Sequence, residues 1–226
     1  MLKLLKKISF VNKLYRILSP KSLETRLQIR AADDTCSYIE EHMMKIHSES
    51  SRNAVIDRAL ENVKLKGLHL EFGVFSGETI NHVAKKCPNT TIYGFDSFEG
   101  LPEAWRDGYK PGHFNTKHKL PKVNKNVVLI KGWFEDTLKP FVKEYKEPVA
   151  FLHIDCDLYS STKTIFTLLK DRITKNTVIV FDEYFNYPGW REGEYKAFKE
   201  FVAEQNLSYD YMTYNRYFEQ VAVIIK

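Results

Sequence analysis

The segment from Leu68 to Asp96 constrains the fold more than any other part of the chain. It begins with a short apolar run, passes through the glycine-containing turn at 71–77, and ends with a second apolar run that closes on Asp96. Between the two runs, apolar residues recur at the i, i+3, i+4, i+7 spacing of a buried helix face: Ile80, Val83, Ala84 and Cys87. Short apolar runs bounded by Gly and Pro are typical of buried parallel strands. The order strand, turn, helix, strand predicts the opening unit of a doubly wound α/β sheet.

The rest of the chain continues this alternation of strands and helices. Further strands are predicted at 127–130, 149–154, 177–181, 209–214 and 220–225, with helices at 136–145, around 165–173 and at 194–205. The last two strands flank Asn215-Arg216 as a hairpin, so the final strand is expected to run antiparallel to its neighbours. The sequence therefore predicts an α/β fold with a doubly wound, mainly parallel, seven-stranded sheet.

Residues 1–66 precede the first predicted strand and are expected to form a helical extension or lid on the domain at 67–226. Residues 1–20 have the pattern of a basic amphipathic helix, and two further helices are predicted at 33–47 and 51–64. A basic helix of this kind can lie on a membrane surface, but packing on its own domain or on a second subunit is the favoured interpretation.

Charge and cysteine content narrow the class of protein. The net charge is +5, but residues 1–30 alone carry eight Lys or Arg against one Glu, which leaves the rest of the chain at −2. The part that resembles an enzyme therefore lacks the positive footprint of a nucleic-acid-binding domain. Three scattered cysteines suit a reducing cytosol and argue against a disulfide framework or a zinc site. We expect a cytoplasmic protein.

The glycine turn indicates a nucleoside ligand. Gly73 and Gly77 allow a sharp turn and a close approach of ligand to backbone, and a carboxylate at the position of Asp96 can accept both hydroxyls of a ribose. The first glycine of a dinucleotide fingerprint is missing, and Glu71 stands near its place. A carboxylate there would repel a pyrophosphate and attract a cation, so S-adenosylmethionine fits better than NAD. An ordinary turn without a ligand is the alternative.

Acidic residues follow two predicted strands: Asp155 and Asp157 after the fourth, Asp182 and Glu183 after the fifth. Ligands collect at the carboxyl ends of parallel strands, and carboxylates buried together repel one another unless a cation compensates them. Oxygen ligands favour Mg²⁺, which would assist the deprotonation of a hydroxyl, with a neighbouring carboxylate as base. Alternatively, two of the four side chains point outward as helix N-caps. His153, inside a buried strand, is expected to be a core histidine.

Five motifs in register resemble those of the macrocin O-methyltransferase family, the Mg²⁺-dependent methyltransferases that include the mycinamicin and novobiocin sugar-modifying enzymes. They are Glu71-Phe-Gly-Val-Phe-Ser-Gly77, Tyr93-Gly-Phe-Asp-Ser-Phe-Glu-Gly-Leu-Pro102, Lys131-Gly-Trp-Phe-Glu-Asp-Thr-Leu138, Asp155-Cys-Asp-Leu-Tyr-Ser-Ser-Thr162 and Phe181-Asp-Glu183. The similarity covers roughly residues 50–205. It implies a class I methyltransferase fold, usually dimeric, that methylates a sugar hydroxyl.

The resemblance also implies roles for individual residues. Asp157 would be the general base, and the metal ligands would be Asp155, Asp182 and Glu183. The cofactor contacts would be Glu71, Gly73, Gly77, Thr79, Asp96, Ser97, Trp133, Phe134 and Asp155, with Asp96 on the ribose and the two aromatic residues near the adenine. The family more often has Asp-Asp where this chain has Asp182-Glu183, so the third ligand departs from the pattern.

The leading hypothesis is an O-methyltransferase that acts on a sugar hydroxyl of a glycan, a nucleotide-sugar or a glycosylated metabolite. Two other functions fit the same fold: a non-catalytic binding or scaffold protein docked to a membrane or a glycan-assembly complex, and a methyltransferase of catechol-type phenols. A dinucleotide-dependent oxidoreductase is disfavoured by Glu71.

Overall fold

One mixed sheet carries helices on both of its faces. The computed structural model describes residues 22–117 and 119–226, and eight strands of that part form the sheet. The strands are β1 (Ser48–Glu49), β2 (Leu68–Phe72), β3 (Ile92–Asp96), β4 (Val127–Lys131), β5 (Val149–Ile154), β6 (Val178–Phe181), β7 (Tyr209–Asn215) and β8 (Val221–Ile225). The helices are α1 (Leu23–His42), α2 (Arg52–Glu61), α3 (Glu78–Lys86), α4 (Phe134–Glu144), α5 (Tyr159–Leu169) and α6 (Glu194–Glu204), with a 3-10 turn at Trp190–Glu192.

The strand order is β1-β7-β8-β6-β5-β2-β3-β4. Strand β8 runs antiparallel to β6 and β7, and the other pairs are parallel, which confirms the mainly parallel sheet and its antiparallel last strand. The described sheet has eight strands where the sequence predicts seven, because Ser48 and Glu49 pair with Tyr214 and Asn215 of β7. Two polar residues carry no hydrophobic period, so the pattern does not predict β1.

Both faces of the sheet are covered, as a doubly wound fold requires. On one face, α2 and α3 bury their apolar residues against the sheet: Val55, Ile56, Ala59, Ile80, Val83 and Ala84 pack with Phe151, Val178, Val180 and Ala222. On the other face, α4, α5 and α6 do the same: Leu138, Phe141, Ile165, Phe166, Phe198 and Phe201 pack with Leu70, Phe72, Leu152, Ile154 and Phe181. The central strands β2, β5 and β6 are buried along their whole length.

The region before β2 is part of this packing. Helix α2 covers the sheet, and α1 begins at Leu23, ten residues before the predicted start, because the Ser22 hydroxyl caps it by accepting the Thr25 N–H at 3.1 Å. The predicted basic helix at 1–20 lies outside the described residues, and the division of the chain at residue 67 stays a prediction. None of the helices described between residues 22 and 226 has the length and apolar character that a membrane crossing needs.

The sheet topology fixes where a ligand can bind. Strand β2 has β3 on one side and β5 on the other, so the connections after β2 and β5 diverge at the carboxyl edge of the sheet. Such a switch point leaves a crevice. The segment 97–126 connects β3 to β4, and its described residues, 97–117 and 119–126, contain no helix or strand.

Candidate active site

A cavity of about 810 Å³ lies at the carboxyl ends of β2, β3, β5 and β6. Most of the residues proposed from the sequence line it: Gly73, Thr79, Asp96, Ser97, Trp133, Phe134, Asp155, Asp157, Asp182 and Glu183. Glu71 and Gly77 are the two that do not. The loop at 97–126 adds an aromatic side to the cavity with Trp105, Tyr109 and Phe114.

The glycine turn connects β2 to α3. Gly73 has φ +90°, and a Cβ there would lie 1.6 Å from the carbonyl oxygen of Asp155. This glycine is therefore required by the close approach of the ends of β2 and β5, in addition to any ligand. Gly77 has φ +80° and is the N-cap of α3, which places Thr79 in the first turn of that helix.

Asp96 holds this turn in place. One carboxylate oxygen accepts the backbone N–H groups of Val74 and Phe75, both at 2.8 Å, and the other accepts that of Phe98 at 2.6 Å. The sequence motif did not reveal this role. Asp96 also lines the cavity. Each carboxylate oxygen can accept more than one hydrogen bond, so Asp96 can still accept hydrogen bonds from ribose hydroxyls, as the sequence predicts.

The structure does not bring Glu71 to the cavity. Its side chain is buried at 1% exposure, and Oε2 lies 3.1 Å from His153 Nδ1 across the β2–β5 pair. Burial would lower the pKa of His153, but the carboxylates of Asp182 and Glu71 outweigh burial and raise this pKa to about 10. Glu71 therefore has a protein cation as its partner, in place of the cationic ligand that the sequence suggested.

The two acidic strand ends meet because β5 and β6 are neighbours. Asp155, Asp182 and His153 offer ligand atoms that all lie within 4.8 Å of one another. Glu183 lines the same cavity but is outside this group, so the structure places His153 closer to the aspartate pair than the third ligand expected from the sequence.

Acidic side chains outnumber the cationic groups that face them in this cluster, and their pKa values reflect this. Burial and the charge of Asp182 raise the pKa values of Asp155 and Glu183 well above their ordinary range. Burial also opposes the ionisation of Asp182, but His153 and Arg52 outweigh it and keep the Asp182 pKa low. Asp182 Oδ1 and Glu183 Oε2 are buried without a hydrogen-bond partner, which is costly for carboxylate oxygens unless a cation lies beside them.

Asp157 lies two residues beyond Asp155 in a left-handed backbone conformation, with φ +64°. Such a conformation is uncommon for a residue other than glycine, and its strain is often found at functional sites. Asp155 and Asp157 both follow the end of β5 at Ile154, and both line the cavity. Burial and the charge of Asp182 raise the pKa of Asp157 to about 7, although Arg106 opposes this shift.

Two further residues of the site were not proposed from the sequence. Arg52, the first residue of α2, lies against Asp155 and Asp182 at 3.4 Å each. Glu194, fully buried at the start of α6, accepts the backbone N–H groups of Cys156 and Glu183. The sequence around Arg52 and Glu194 does not indicate a functional site, because an Arg or a Glu in the first turn of a helix is common on protein surfaces.

Aromatic side chains form the remaining walls. Phe134 contacts Phe72 edge-on, with ring centroids 5.2 Å apart, and Trp133 precedes it as the N-cap of α4. Across the cavity, the guanidinium of Arg106 stacks on Trp105 at 3.9 Å and donates to Glu219 at 3.2 Å. The rings of Trp133 and Phe134 suit a planar base. Arg106 places a cation next to the apolar ring surface of Trp105.

Comparison with known proteins gives the family. A family profile described as a methyltransferase domain matches residues 70–184. The demethyldecarbamoylnovobiocin O-methyltransferase of Streptomyces niveus is 26% identical over 140 residues, which are 53% of this chain and 52% of the relative. The match thus covers about half of this chain and about half of the curated relative.

Solved structures show the same fold. The calicheamicin methyltransferase CalS11, which a second structure describes as a TDP-rhamnose 3′-O-methyltransferase, superposes with a TM-score of 0.63 at 19% identity over 92% of this chain and 95% of that one. The O-methyltransferase NovP gives a TM-score of 0.58 at 21% identity over 76% and 79%. Since the family profile covers half of the chain and the class I fold agrees with it, this chain belongs to the methyltransferase-domain family.

Proposed function

We propose that this protein is an S-adenosylmethionine-dependent, Mg²⁺-assisted O-methyltransferase that acts on a sugar hydroxyl. The observation that carries the proposal is the meeting of the glycine turn and the two acidic strand ends in one cavity of about 810 Å³. A methyl donor and an activated hydroxyl need such adjacent sites, because transfer requires the reacting atoms to be aligned and close.

The cofactor half of the cavity uses the glycine turn and the walls beside it. Gly73 and Thr79 offer backbone and hydroxyl groups, Asp96 and Ser97 follow β3, and Trp133 and Phe134 provide a surface for the adenine. S-adenosylmethionine has a ribose and a base but no phosphate, in keeping with the absence of the first fingerprint glycine. Glu71 is left out of this half because it is paired with His153.

The residues of the acidic cluster fit a divalent cation. Buried oxygens without hydrogen-bond partners on Asp182 and Glu183, and raised pKa values of Asp155 and Glu183, are relieved by added positive charge. Asp155 and Asp182 would hold Mg²⁺, with Glu183, which lines the same cavity, as a further ligand. When bound, Mg²⁺ supplies Lewis-acid assistance to the deprotonation of a hydroxyl.

Asp157 is the base of the proposed reaction. Its carboxylate lines the cavity and takes the proton of the acceptor hydroxyl. The oxygen forms a bond to the methyl carbon as the bond from that carbon to the sulfonium breaks, and the sulfur keeps the electron pair, which gives neutral S-adenosylhomocysteine.

A sugar acceptor is supported by the named relatives and by the aromatic wall. One relative modifies a novobiocin precursor and another acts on TDP-rhamnose, and Trp105 and Tyr109 give ring surfaces on which the apolar face of a sugar can lie. A glycan, a nucleotide-sugar and a glycosylated metabolite all fit. The cytoplasmic location, a homodimer and a membrane contact through residues 1–20 stay predictions.

Two experiments separate this function from its rivals. In calorimetric titrations, S-adenosylhomocysteine should bind and NAD⁺ should not; the reverse would favour an oxidoreductase. In a competition for methyl groups between nucleotide-sugars and catechol, label on the sugar supports the proposal, and label on catechol alone would favour a phenol methyltransferase. Binding of S-adenosylhomocysteine without any turnover would favour a scaffold protein.

A further inference from the structure

The guanidinium of Arg52 spans the two acidic strand ends. Nη1 lies 3.4 Å from Asp155 Oδ2, and Nε lies 3.4 Å from Asp182 Oδ1. Nη1 also donates to Thr79 Oγ1 at 3.3 Å, in the first turn of α3. One side chain from α2 thus connects both carboxylates with the helix that follows the glycine turn.

Asp155 and Asp182 require positive charge. They follow neighbouring strands, and Asp182 Oδ1 is buried without a hydrogen-bond partner. Among the described residues, the guanidinium of Arg52 and the imidazole of His153 face this pair, and His153 Nε2 lies 3.9 Å from Asp182 Oδ1. Because like charges at short range repel, Arg52 offsets part of the cost of placing these two acidic side chains side by side.

Arg52 can leave without moving its helix. Helix α2 is anchored further along by Val55, Ile56 and Ala59, all of which are inaccessible to solvent. Arg52 is the first residue of the helix, and its side chain is 44% exposed. A guanidinium on a flexible, half-exposed stem can turn toward solvent while the helix stays in place.

We infer that Arg52 is a resident counter-cation of Asp155 and Asp182 that a divalent metal ion displaces, an inference that rests on the metal-assisted function proposed above. A cation bound between the same two carboxylates would lie close to the guanidinium, and positive charges at such distances repel strongly. Arg52 therefore stabilises the metal-free cluster and lowers its affinity for metal. When Arg52 moves away, its hydrogen bond to Thr79 is also lost. Metal binding is thereby linked to α3, the helix that follows the glycine turn.

The sign of one affinity change separates this role from a structural one. If Arg52 only held the carboxylates in the geometry of metal ligands, its removal would disorder them and weaken metal binding. If Arg52 competes with the metal, its removal would strengthen binding.

The test measures Mn²⁺ binding by electron paramagnetic resonance, which detects free Mn²⁺ without any turnover. The neutral variants Arg52→Met and Arg52→Gln are compared with Arg52→Lys, which keeps the charge. Arg58→Met is the matched control, because Arg58 lies on the same helix but pairs with Glu49 and Glu61 and does not line the cavity. Circular dichroism and thermal unfolding verify that each variant is folded.

Competition predicts that both neutral variants bind Mn²⁺ about tenfold more tightly than the wild type, as expected when a repulsive charge is removed from a partly buried site. Arg52→Lys and Arg58→Met should stay close to the wild type. If the wild type binds Mn²⁺ and the folded neutral variants bind it equally or more weakly, the counter-cation role is wrong and the metal site stands. If none of these proteins binds Mn²⁺, the metal-assisted function fails as well.

Discussion

The carboxylate of Glu194 accepts the backbone N–H of Glu183 at 3.2 Å, although the two residues belong to different elements at the edge of the sheet. Its other oxygen accepts the N–H of Cys156 at 3.4 Å. One buried side chain at the start of α6 therefore joins the loop that carries Asp155 and Asp157 to the loop that carries Asp182 and Glu183. We assign Glu194 a positioning role.

Replacing Glu194 with Met should lower the free energy of unfolding. The variant leaves the N–H groups of Cys156 and Glu183 without their acceptor, at a cost of about 1–3 kcal/mol for each buried donor. Urea denaturation measures the difference. Glu192→Met is the control, since the Glu192 side chain is 73% exposed and pairs with Lys196 at the surface; it should change stability by less than about 0.5 kcal/mol. Equal stability of Glu194→Met and wild type would refute the positioning role.

Replacing Asp96 with Ala should weaken the binding of S-adenosylhomocysteine by about 1.5–3 kcal/mol, the cost of losing hydrogen bonds to a charged group. The carboxylate is proposed to bind the ribose, and it also holds the N–H groups of Val74, Phe75 and Phe98. Calorimetry measures the affinity, with the exposed Asp171→Asn as control. Unchanged affinity in Asp96→Ala would place the ribose elsewhere.

Asp155 and Asp157 should fail differently when each is replaced by Asn. Asp155→Asn should lose metal affinity, and excess Mg²⁺ should partly restore its activity. Asp157→Asn should keep metal and cofactor binding but lower kcat by about 10²–10⁴, the usual contribution of a positioned base. Steady-state kinetics across a range of Mg²⁺ concentrations distinguishes the two. Equal rescue of both variants by metal would make both residues ligands.

The metal-free protein should lose stability as the pH rises from about 5 to about 8. Burial and the charge of Asp182 raise the pKa of Asp157 to about 7, and burial also raises the pKa values of Asp155 and Glu183. Above the ordinary carboxyl pKa the unfolded chain has released these protons, while the folded chain retains each of them until the pH reaches its raised folded pKa. The stability that the raised pKa values contribute is fully present below the unfolded pKa and is lost as pH passes the folded pKa.

Thermal unfolding of the wild type and of Asp157→Asn, both in EDTA, measures this effect. The variant has no carboxyl group at this position, so its melting temperature should fall less between the two pH values than that of the wild type. Added Mg²⁺ should stabilise the wild type more at the higher pH, where the carboxylates are ionised. Identical pH profiles for the two proteins would show that Asp157 titrates normally.

The spacing of apolar residues predicts some of the helices and strands of this protein and misses others. Hydrophobic period reveals elements that bury one face, so it finds β2, α3 and β5, but it misses β1, where Ser48 and Glu49 join the sheet through backbone bonds alone. It also places the start of α1 too late, since the first turns of that helix are exposed and Leu23 and Leu27 bury little surface.

For the candidate active site, too, the local sequence indicates some residues, and only the packed structure reveals others. The sequence brings Asp155, Asp157 and Asp182 to one cavity because they follow strands, and parallel strands end at one edge. The sequence predicts a cofactor contact for Glu71, but its side chain pairs with His153 of β5. The local sequence does not reveal this contact, because it depends on the pairing of β2 with β5. Arg52 and Glu194 reach the cavity from helices that are distant in sequence, so only the packed structure reveals them.

Metal-dependent methyl transfer is the central claim, and one measurement tests it most directly. The wild-type protein is incubated with S-adenosylmethionine carrying a deuterated methyl group and with a mixture of nucleotide-sugars and polysaccharide precursors, in Mg²⁺ or in excess EDTA. Mass spectrometry then follows the label. We expect one deuterated methyl group on a carbohydrate oxygen in the Mg²⁺ sample, none in EDTA, and recovery when Mg²⁺ is restored. Undiminished labelling in EDTA, or label that never reaches carbohydrate, would contradict the account.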